Sequence, residues 1–241
     1  MTRIELPGPL LETVFVERPN RFLVRCLPPD AAADADPYDA HLADPGRLKE
    51  LLLPGRRVWL RAVADAPHRR TRWSAVLVES PDGDGLVSVD TTMPNRLIRA
   101  ALEERTLDEF RGWSLERREV VLGRSRIDFV LRREDGRRLA LEVKSVTLVE
   151  DGEALFPDAV TARGARHVGE LAALARGGEW DAAILFVLQR PDANRIRAAS
   201  DIDPVFARAL ADAKAAGVRV YGRRCRVSPR CLTLGDAVPA G

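Results

Sequence analysis

The sequence predicts a two-part α+β chain, a small β-barrel followed by an α/β sandwich with a mixed sheet. Three observations predict it. The first third is a series of short strand-like runs with turn signals and no strand–helix–strand rhythm. The stretch Pro81-Asp82-Gly83-Asp84-Gly85 marks a linker, and the character of the chain changes after it. The remainder reads in the order αβββαβαβ, as helices on a mixed sheet would. The division this implies is 1–85 and 86–241.

The elements follow in order. Residues 10–17 and 21–27 are β-rich runs split by Pro19-Asn20, a hairpin signal. A loop rich in Ala, Asp and Pro covers 28–37. Pro45-Gly46 then turns the chain, and 47–53 read as a short helix. Strands at 57–64 and 72–79 complete a set that suggests a barrel of the OB type. Beyond the linker, Pro94 opens a helix over 94–104 that places Leu97, Ile98, Ala101 and Leu102 on one face. Strands are predicted at about 115–121, 125–132 and 138–146. A helix at 161–175 is expected to bury Ala165, Val168, Leu171, Ala172 and Ala175. The run AAILFVL at 182–188 is continuously apolar, as a strand covered on both faces would be. A helix at 203–216 and a strand at 218–222 close the pattern.

Composition narrows the setting. No apolar run approaches the ~18 residues of a membrane span, and the first residues show no signal-peptide pattern, so a cytoplasmic protein away from membranes is expected. Three cysteines, Cys26, Cys225 and Cys231, are too few and too scattered for a zinc site or a disulfide framework. Net charge is only +2, with 12 basic and 13 acidic side chains up to residue 85 and 26 and 23 after it. Arginines cluster at Arg69, Arg70 and Arg72, at Arg132, Arg133, Arg137 and Arg138, and at Arg223, Arg224 and Arg226. Any one cluster reads as a solvated face; together they allow a surface that follows a phosphate backbone. Only three of the 38 basic residues are lysine, which makes the strand-borne Lys144 noticeable.

The chemistry concentrates in residues 125–146. Two strand runs are joined by Glu134-Asp135-Gly136. A two-residue turn would set Asp128 against Val143 and send Glu142 to the other face. A three-residue loop, with Gly136 in the left-handed position of a bulge, sets Asp128 opposite Glu142 instead. Directly opposite residues share a face, with Cβ atoms about 4.5–5.5 Å apart. Lys144 lies two residues on, hence on the face of Glu142, while Leu139, Leu141 and Val143 face the core. Two carboxylates this close repel unless a cation joins them, and Mg²⁺, bound by such oxygens, supplies what phosphodiester cleavage needs. Lysine can orient or deprotonate a water, which arginine can hardly do. A structural salt bridge explains a Glu-Val-Lys strand equally simply, and the residues alone leave both readings open.

The blocks SRIDF and EVKSVTL resemble the D-x(n)-E-x-K pattern of the PD-(D/E)xK nuclease superfamily. Further blocks run nearly end to end: FVERPNRFLVR (15–25), AHLADPGRLKELLLPG (40–55), TTMPNRL (91–97), LEVKSVTLVEDGEALFPDAVTARGARHVGEL (141–171), LFVLQRPD (185–192) and IDPVFARAL (202–210). On these the chain resembles the sugar fermentation stimulation protein A family. The resemblance implies an OB-like barrel, a restriction-endonuclease-like domain and DNA binding, with a regulatory link to maltose metabolism. Two positions depart from pattern: Ile127 stands where the superfamily has proline, and Asp44 where asparagine is the more common residue.

The resemblance extends the candidate site. Asp128, Glu142 and the carbonyl of Val143 would hold Mg²⁺, with Mn²⁺ as a candidate substitute. A further carboxylate would come from Glu104 on the first helix or Glu119 on the next strand. Lys144, His167 and Gln189 would be catalytic, Gln189 positioning water or phosphate at a strand end. Arg163 and His167 would lie near the scissile phosphate. Asn95, Arg96 and Arg126 would contact nucleic acid. His41 and Arg47 sit on the barrel's loop-to-helix turn, where free N–H groups could take a phosphate or merely fix the turn. Phe22, Trp59 and Trp73 are candidate stacking platforms. Two functions compete: a Mg²⁺-dependent phosphodiesterase acting on DNA or RNA, and a non-catalytic, largely non-specific DNA-binding regulator. Oligomeric state is open, a homodimer included.

Overall fold

A computed structural model describes residues 1–32, 34–64 and 70–241. Arg69, counted above in an arginine cluster, lies outside them. After β1 (Arg3–Glu5) come the strands of the first sheet, β2 (Leu10–Asn20), β3 (Leu23–Leu27), β4 (Tyr38–Leu42), β5 (Arg57–Ala62), β6 (Trp73–Glu79) and β7 (Leu86–Ser88). Pairings β2–β3, β3–β4, β5–β6 and β2–β5 are antiparallel, and a parallel β4–β6 pairing closes the ring. This is the five-stranded OB barrel, filled by alternating residues such as Val24, Cys26, Ala40, Leu42, Val58 and Leu60. Closure leaves no free edge between β4 and β6, which suits strands this short.

The second part comprises α1 (Met93–Glu103), β8 (Trp113–Leu122), β9 (Ser125–Arg133), β10 (Arg138–Val146), β11 (Leu148–Glu150), β12 (Glu153–Phe156), α2 (Ala162–Gly177), β13 (Trp180–Leu188), β14 (Ile196–Ala198), α3 (Pro204–Ala215), β15 (Arg219–Val227) and β16 (Cys231–Val238). Its main sheet has the order β1-β16-β15-β13-β10-β9-β8, with β13 parallel to both β10 and β15. A small sheet, β11-β12-β14, flanks it. The fold is α+β, an OB barrel joined to a restriction-endonuclease-like sandwich.

The apolar run on β13 explains the layering. Ala183, Leu185 and Val187 pack against α1 and the barrel side chains Trp59, Val76 and Leu77, whereas Ala182, Ile184, Phe186 and Leu188 pack against α2 and α3. One strand thus anchors both cores, and the barrel shares the α1-side core. Capping sets the helix starts. Thr161 Oγ1 accepts from Gly164 N and Asp203 Oδ1 from Phe206 N, while Asp203 Oδ2 accepts from Thr161 N at 2.7 Å and ties α3 to the start of α2.

Several expectations are corrected. Residues 47–53 form no helix but a single turn, with Leu52 N donating to Leu48 O. Leu48 at φ 48° cannot continue a right-handed helix. The 81–85 stretch is a hairpin loop, closed by Ser80 N donating to Gly85 O, so the barrel sheet extends to Ser88. β1, from the chain's first residues, joins the far edge of the other sheet. The strand expected at 218–222 runs to Val227 and pairs with β16, which periodicity missed because Arg223, Arg224 and Arg226 looked like surface. Arg223 is instead mostly buried, forked onto Glu109 at 2.6–2.7 Å. Arg133, Arg137 and Arg138 are likewise taken up by Asp135, Asp181 and Glu116. Two of the arginine clusters are therefore largely neutralised within the chain. Cys26 and Cys225 are buried free thiols. Among the described residues no helix is long and apolar enough to cross a membrane.

Candidate functional site

The site grows from the β9–β10 hairpin. Gly136 takes φ 85°, Gly136 N donates to Arg133 O and Arg133 N donates to Arg137 O, a three-residue loop with a left-handed glycine. The ladder then pairs Arg138 with Arg132, Leu139 with Leu131, Ala140 with Val130 and Leu141 with Phe129. This is the register that points Asp128 at Glu142. The backbone ladder stops one step short of that pair. Ile127 packs in the α2–α3 core and Phe129 in the α1 core, so β9 turns over at Asp128. The Asp128 side chain then reaches across in place of its backbone, its Oδ2 accepting from Val143 N at 2.8 Å. Asn95 Nδ2, in the first turn of α1, donates to Oδ1 at 2.9 Å.

Glu142 lies on the α2 side of β10 and is 3% exposed. Its Oε1 is held twice, by Lys144 Nζ at 2.7 Å and by His167 Nδ1 at 2.6 Å. Its Oε2 is buried without a hydrogen-bond partner. Burial, with Glu142 adding repulsion, pushes the Asp128 carboxyl up to about 6. A buried carboxylate oxygen with no donor is costly, and Glu142 has one more carboxylate, Asp128, and a lysine close by. That donor set fits a divalent cation. Among the described residues no group of three or more His, Cys, Asp or Glu is placed to hold a metal ion. Two carboxylates, with the remaining positions left to water and phosphate oxygens, is how Mg²⁺ is commonly bound.

Two cavities flank the site. One, of about 540 Å³, is lined by Asp128, Asn95, Arg96, Thr91 and Thr92. The other, of about 270 Å³, lies between barrel and sandwich and is lined by Lys144, Arg21, Asp44 and Asp158.

The remaining candidates divide. Asn95 and His167 join Asp128 and Glu142 directly, and Arg96 lines the Asp128 cavity. Gln189 is fully buried beyond Lys144, with Nε2 donating to Ser145 Oγ at 2.8 Å and Oε1 unpartnered. Arg163 is exposed one helical turn before His167. Val143 meets Asp128 through its amide. Glu104 is not brought in: it ends α1, roughly 13 Å along the helix axis from Asn95, and its Oε2 accepts from Thr2 Oγ1 at 2.6 Å. Its rival Glu119, at φ 52°, lines the same cavity as Asp128 and lies 3.7 Å from Arg126. His41 stands on β4, stacked with Phe22 (centroids 6.4 Å, 24°), away from the Asp128 cavity. Trp59 is core, and Trp73 packs against Tyr38; Phe22 alone of the three platforms is exposed.

The barrel's turn is the largest surprise. Its N–H groups are already occupied by carboxylates. Asp44 Oδ1 accepts from Gly46 N at 2.8 Å, and the amides of Arg47 and Leu48 face Asp158 and draw its pKa down against the burial that raises it. Arg47 is exposed, but the phosphate role expected for that turn is filled from within the chain. Arg18, which sequence reasoning passed over, clamps the arrangement by donating to the carbonyls of Arg47 and Arg21 at 2.7 Å. The FVERPNRF block carried Arg18, but nothing local marks an arginine as a clamp for a turn 26 residues away.

Comparison with known proteins agrees with this geometry. Residues 16–89 match the family model described as the SfsA N-terminal OB domain, and residues 92–231 the sugar fermentation stimulation protein RE domain. A sugar fermentation stimulation protein homolog from Shouchella clausii is 45% identical, over 96% of this chain and 97% of its own. One from Moorella thermoacetica is 43% identical, over 96% of each. The solved structure of Pyrococcus furiosus SfsA in complex with Ca²⁺ superposes with a TM-score of 0.87 at 27% identity, covering 100% of this chain and 99% of that one.

Proposed function

The chain belongs to the sugar fermentation stimulation protein family, and from that premise we propose that it is a nucleic-acid-binding protein whose Asp128–Glu142–Lys144 site hydrolyses phosphodiester bonds with Mg²⁺. The observation that carries the reading is Glu142: one oxygen held by Lys144 and His167, the other buried and unpartnered, beside a second carboxylate. The Ca²⁺ bound in the Pyrococcus relative supports a divalent ion in the family. Asp128 and Glu142 would hold Mg²⁺, and Mn²⁺ is expected to substitute.

Bound there, the ion would polarise a phosphoryl oxygen and lower the pKa of a water. The chain's own residues do the rest. Asn95 and the Val143 amide fix the orientation of Asp128. His167 holds Glu142 from the helix side. Lys144 lines the cavity between barrel and sandwich with N–H bonds to spare, able to align the attacking water or neutralise charge building on the phosphoryl group. Phosphate contacts dominate such binding, so affinity for DNA should fall steeply with salt. The same reading sets the protein in the cytoplasm.

The test uses labelled single- and double-stranded DNA and RNA, with Mg²⁺, Mn²⁺ or EDTA, beside Asp128→Ala and Lys144→Ala. Cleavage that needs the metal and disappears in both variants supports the proposal. Cleavage surviving in both is contamination, and binding without cleavage of any substrate favours the non-catalytic regulator.

A further inference from the structure

Phe22 is the one aromatic among the large apolar side chains left exposed in the described residues, at 51%. It occupies the turn between β2 and β3, the first and second strands of the barrel. That turn is held rigidly. Asn20 Oδ1 accepts from Phe22 N at 2.9 Å, Phe22 O accepts from Leu42 N at 3.0 Å, and Arg18 donates to the carbonyl of Arg21. Nothing in this bonding requires an apolar ring, and solvent would favour a polar one. The ring lies stacked beside the His41 imidazole, making a continuous aromatic surface. The cavity it borders, about 760 Å³, is also lined by Arg61, paired with Asp90 at 3.3 Å, by Asp39, and by Arg70 and Thr71 just before β6. The loop after the first barrel strand, with the faces of the second and third strands, belongs to the surface on which OB folds take oligonucleotides.

The cavities share lining residues. Thr92 lines both the Phe22 cavity and the Asp128 cavity, and Thr91 lines both the Asp128 cavity and the Lys144 cavity. The Thr91–Thr92 step, pinned where Thr92 N and Oγ1 donate to Asp90 Oδ1, is thus a common border of the aromatic surface and both sides of the site. A base can stack only if its other face is free of a paired duplex stack, so a platform of this kind selects unpaired strands.

We propose that the substrate is a single strand, or the unpaired end of a duplex, with one base stacked on Phe22 and His41 while its sugar–phosphate backbone passes Thr91–Thr92 to Asp128 and Lys144. This rests on the phosphodiesterase reading for the role of the site, but its test does not. Binding of a fluorescent single-stranded DNA and of a blunt duplex of the same sequence is measured in EDTA for the intact protein, Phe22→Ala, Phe22→Trp and Asp128→Ala. Phe22→Ala should weaken single-strand binding about tenfold and leave duplex binding unchanged. Phe22→Trp should keep the affinity and show indole quenching on single-strand binding. Single-strand affinity within twofold of wild type in Phe22→Ala, or equal losses on single strand and duplex, overturns the platform. If Asp128-dependent cleavage is absent while Phe22→Ala still loses the single strand, the platform stands and the catalytic reading falls; the reverse pattern leaves the enzyme and removes the platform.

Discussion

The molecule contains two buried carboxylate pairs, Asp128 with Glu142 in the sandwich and Asp44 with Asp158 between sandwich and barrel. They share several features. In each, burial raises a carboxyl pKa and each holds one unpartnered oxygen, Glu142 Oε2 and Asp158 Oδ2. What surrounds them differs. Both line cavities, but the first pair has a lysine and a histidine on one oxygen. The second is seated on backbone amides, with Gly46 so close that a Cβ there would lie 1.9 Å from Asp158 Oδ2. An orphaned carboxylate oxygen does not by itself mark a site. A cationic side chain hydrogen-bonded to the partner oxygen does, as Lys144 is to Glu142, whereas the pair seated on backbone amides reads as a joint between the two parts of the chain.

The sharpest way to break this contrast is to remove one acid from each pair. Asp128→Ala should lower the hydrolysis rate at least about 10³-fold, the range set by losing a group that acts on the transition state. Asp158→Ala should leave hydrolysis within about tenfold when measured well below its melting temperature. Equal losses in two folded variants would make the joint part of the chemistry. Gly46→Ala comes next in size. A methyl forced against Asp158 costs about 1–3 kcal/mol by overpacking, seen in calorimetry as a melting temperature lowered by roughly 2–10 °C. Gly46→Ala with Asp158→Ala should recover part of it, and strict additivity would mean the two do not touch.

The sequence carried the chemistry better than the joint. The register of β9 and β10 was legible because a Glu-Asp-Gly loop admits few geometries, and side-chain alternation then placed Glu142 and Lys144 together. The turnover of β9 at Asp128 was not legible, since it depends on which core Ile127 and Phe129 each join. Both faces of β13 could be read from its unbroken apolar run. The β15–β16 hairpin could not, because arginines that form ion pairs inside a fold look like arginines facing water. Glu104 satisfied the helical periodicity but sits at the wrong end of α1, a distance that periodicity does not register. The 47–53 turn was misread because its leucine spacing suits a helix, whereas Leu48 adopts a left-handed conformation to aim its amide at a carboxylate from residue 158.

A smaller effect sharpens the description of the first pair. His167 touches Glu142 and no reacting atom, so it is a positioning residue. His167→Gln keeps a side-chain donor and should reduce kcat about tenfold with KM little changed, and the Mg²⁺ concentration giving half the maximal rate should rise because Glu142 loses the contact that orients it. An unchanged Mg²⁺ requirement with the same loss would mean that the histidine only supports the fold.

The smallest expected effect concerns the second pair and asks whether its charge is merely tolerated. Burial pushes Asp44 up to about 6, with Asp158 adding repulsion and the Gly46 amide opposing. A carboxyl raised above its unfolded value of ~3.8 favours folding when protonated, so that stability is complete below ~3.8 and is lost as pH rises through 6. At pH 8 the native protein therefore carries a buried charge that it lacks at pH 4. Asparagine at this position keeps an oxygen for the Gly46 amide and removes that charge. Asp44→Asn should raise the melting temperature by roughly 2–8 °C at pH 8, about 1–2 kcal/mol, with the difference from wild type shrinking toward zero near pH 4. A variant less stable at pH 8 would show that Arg18 holds Asp44 ionised as a working ion pair, and that the joint depends on its charge.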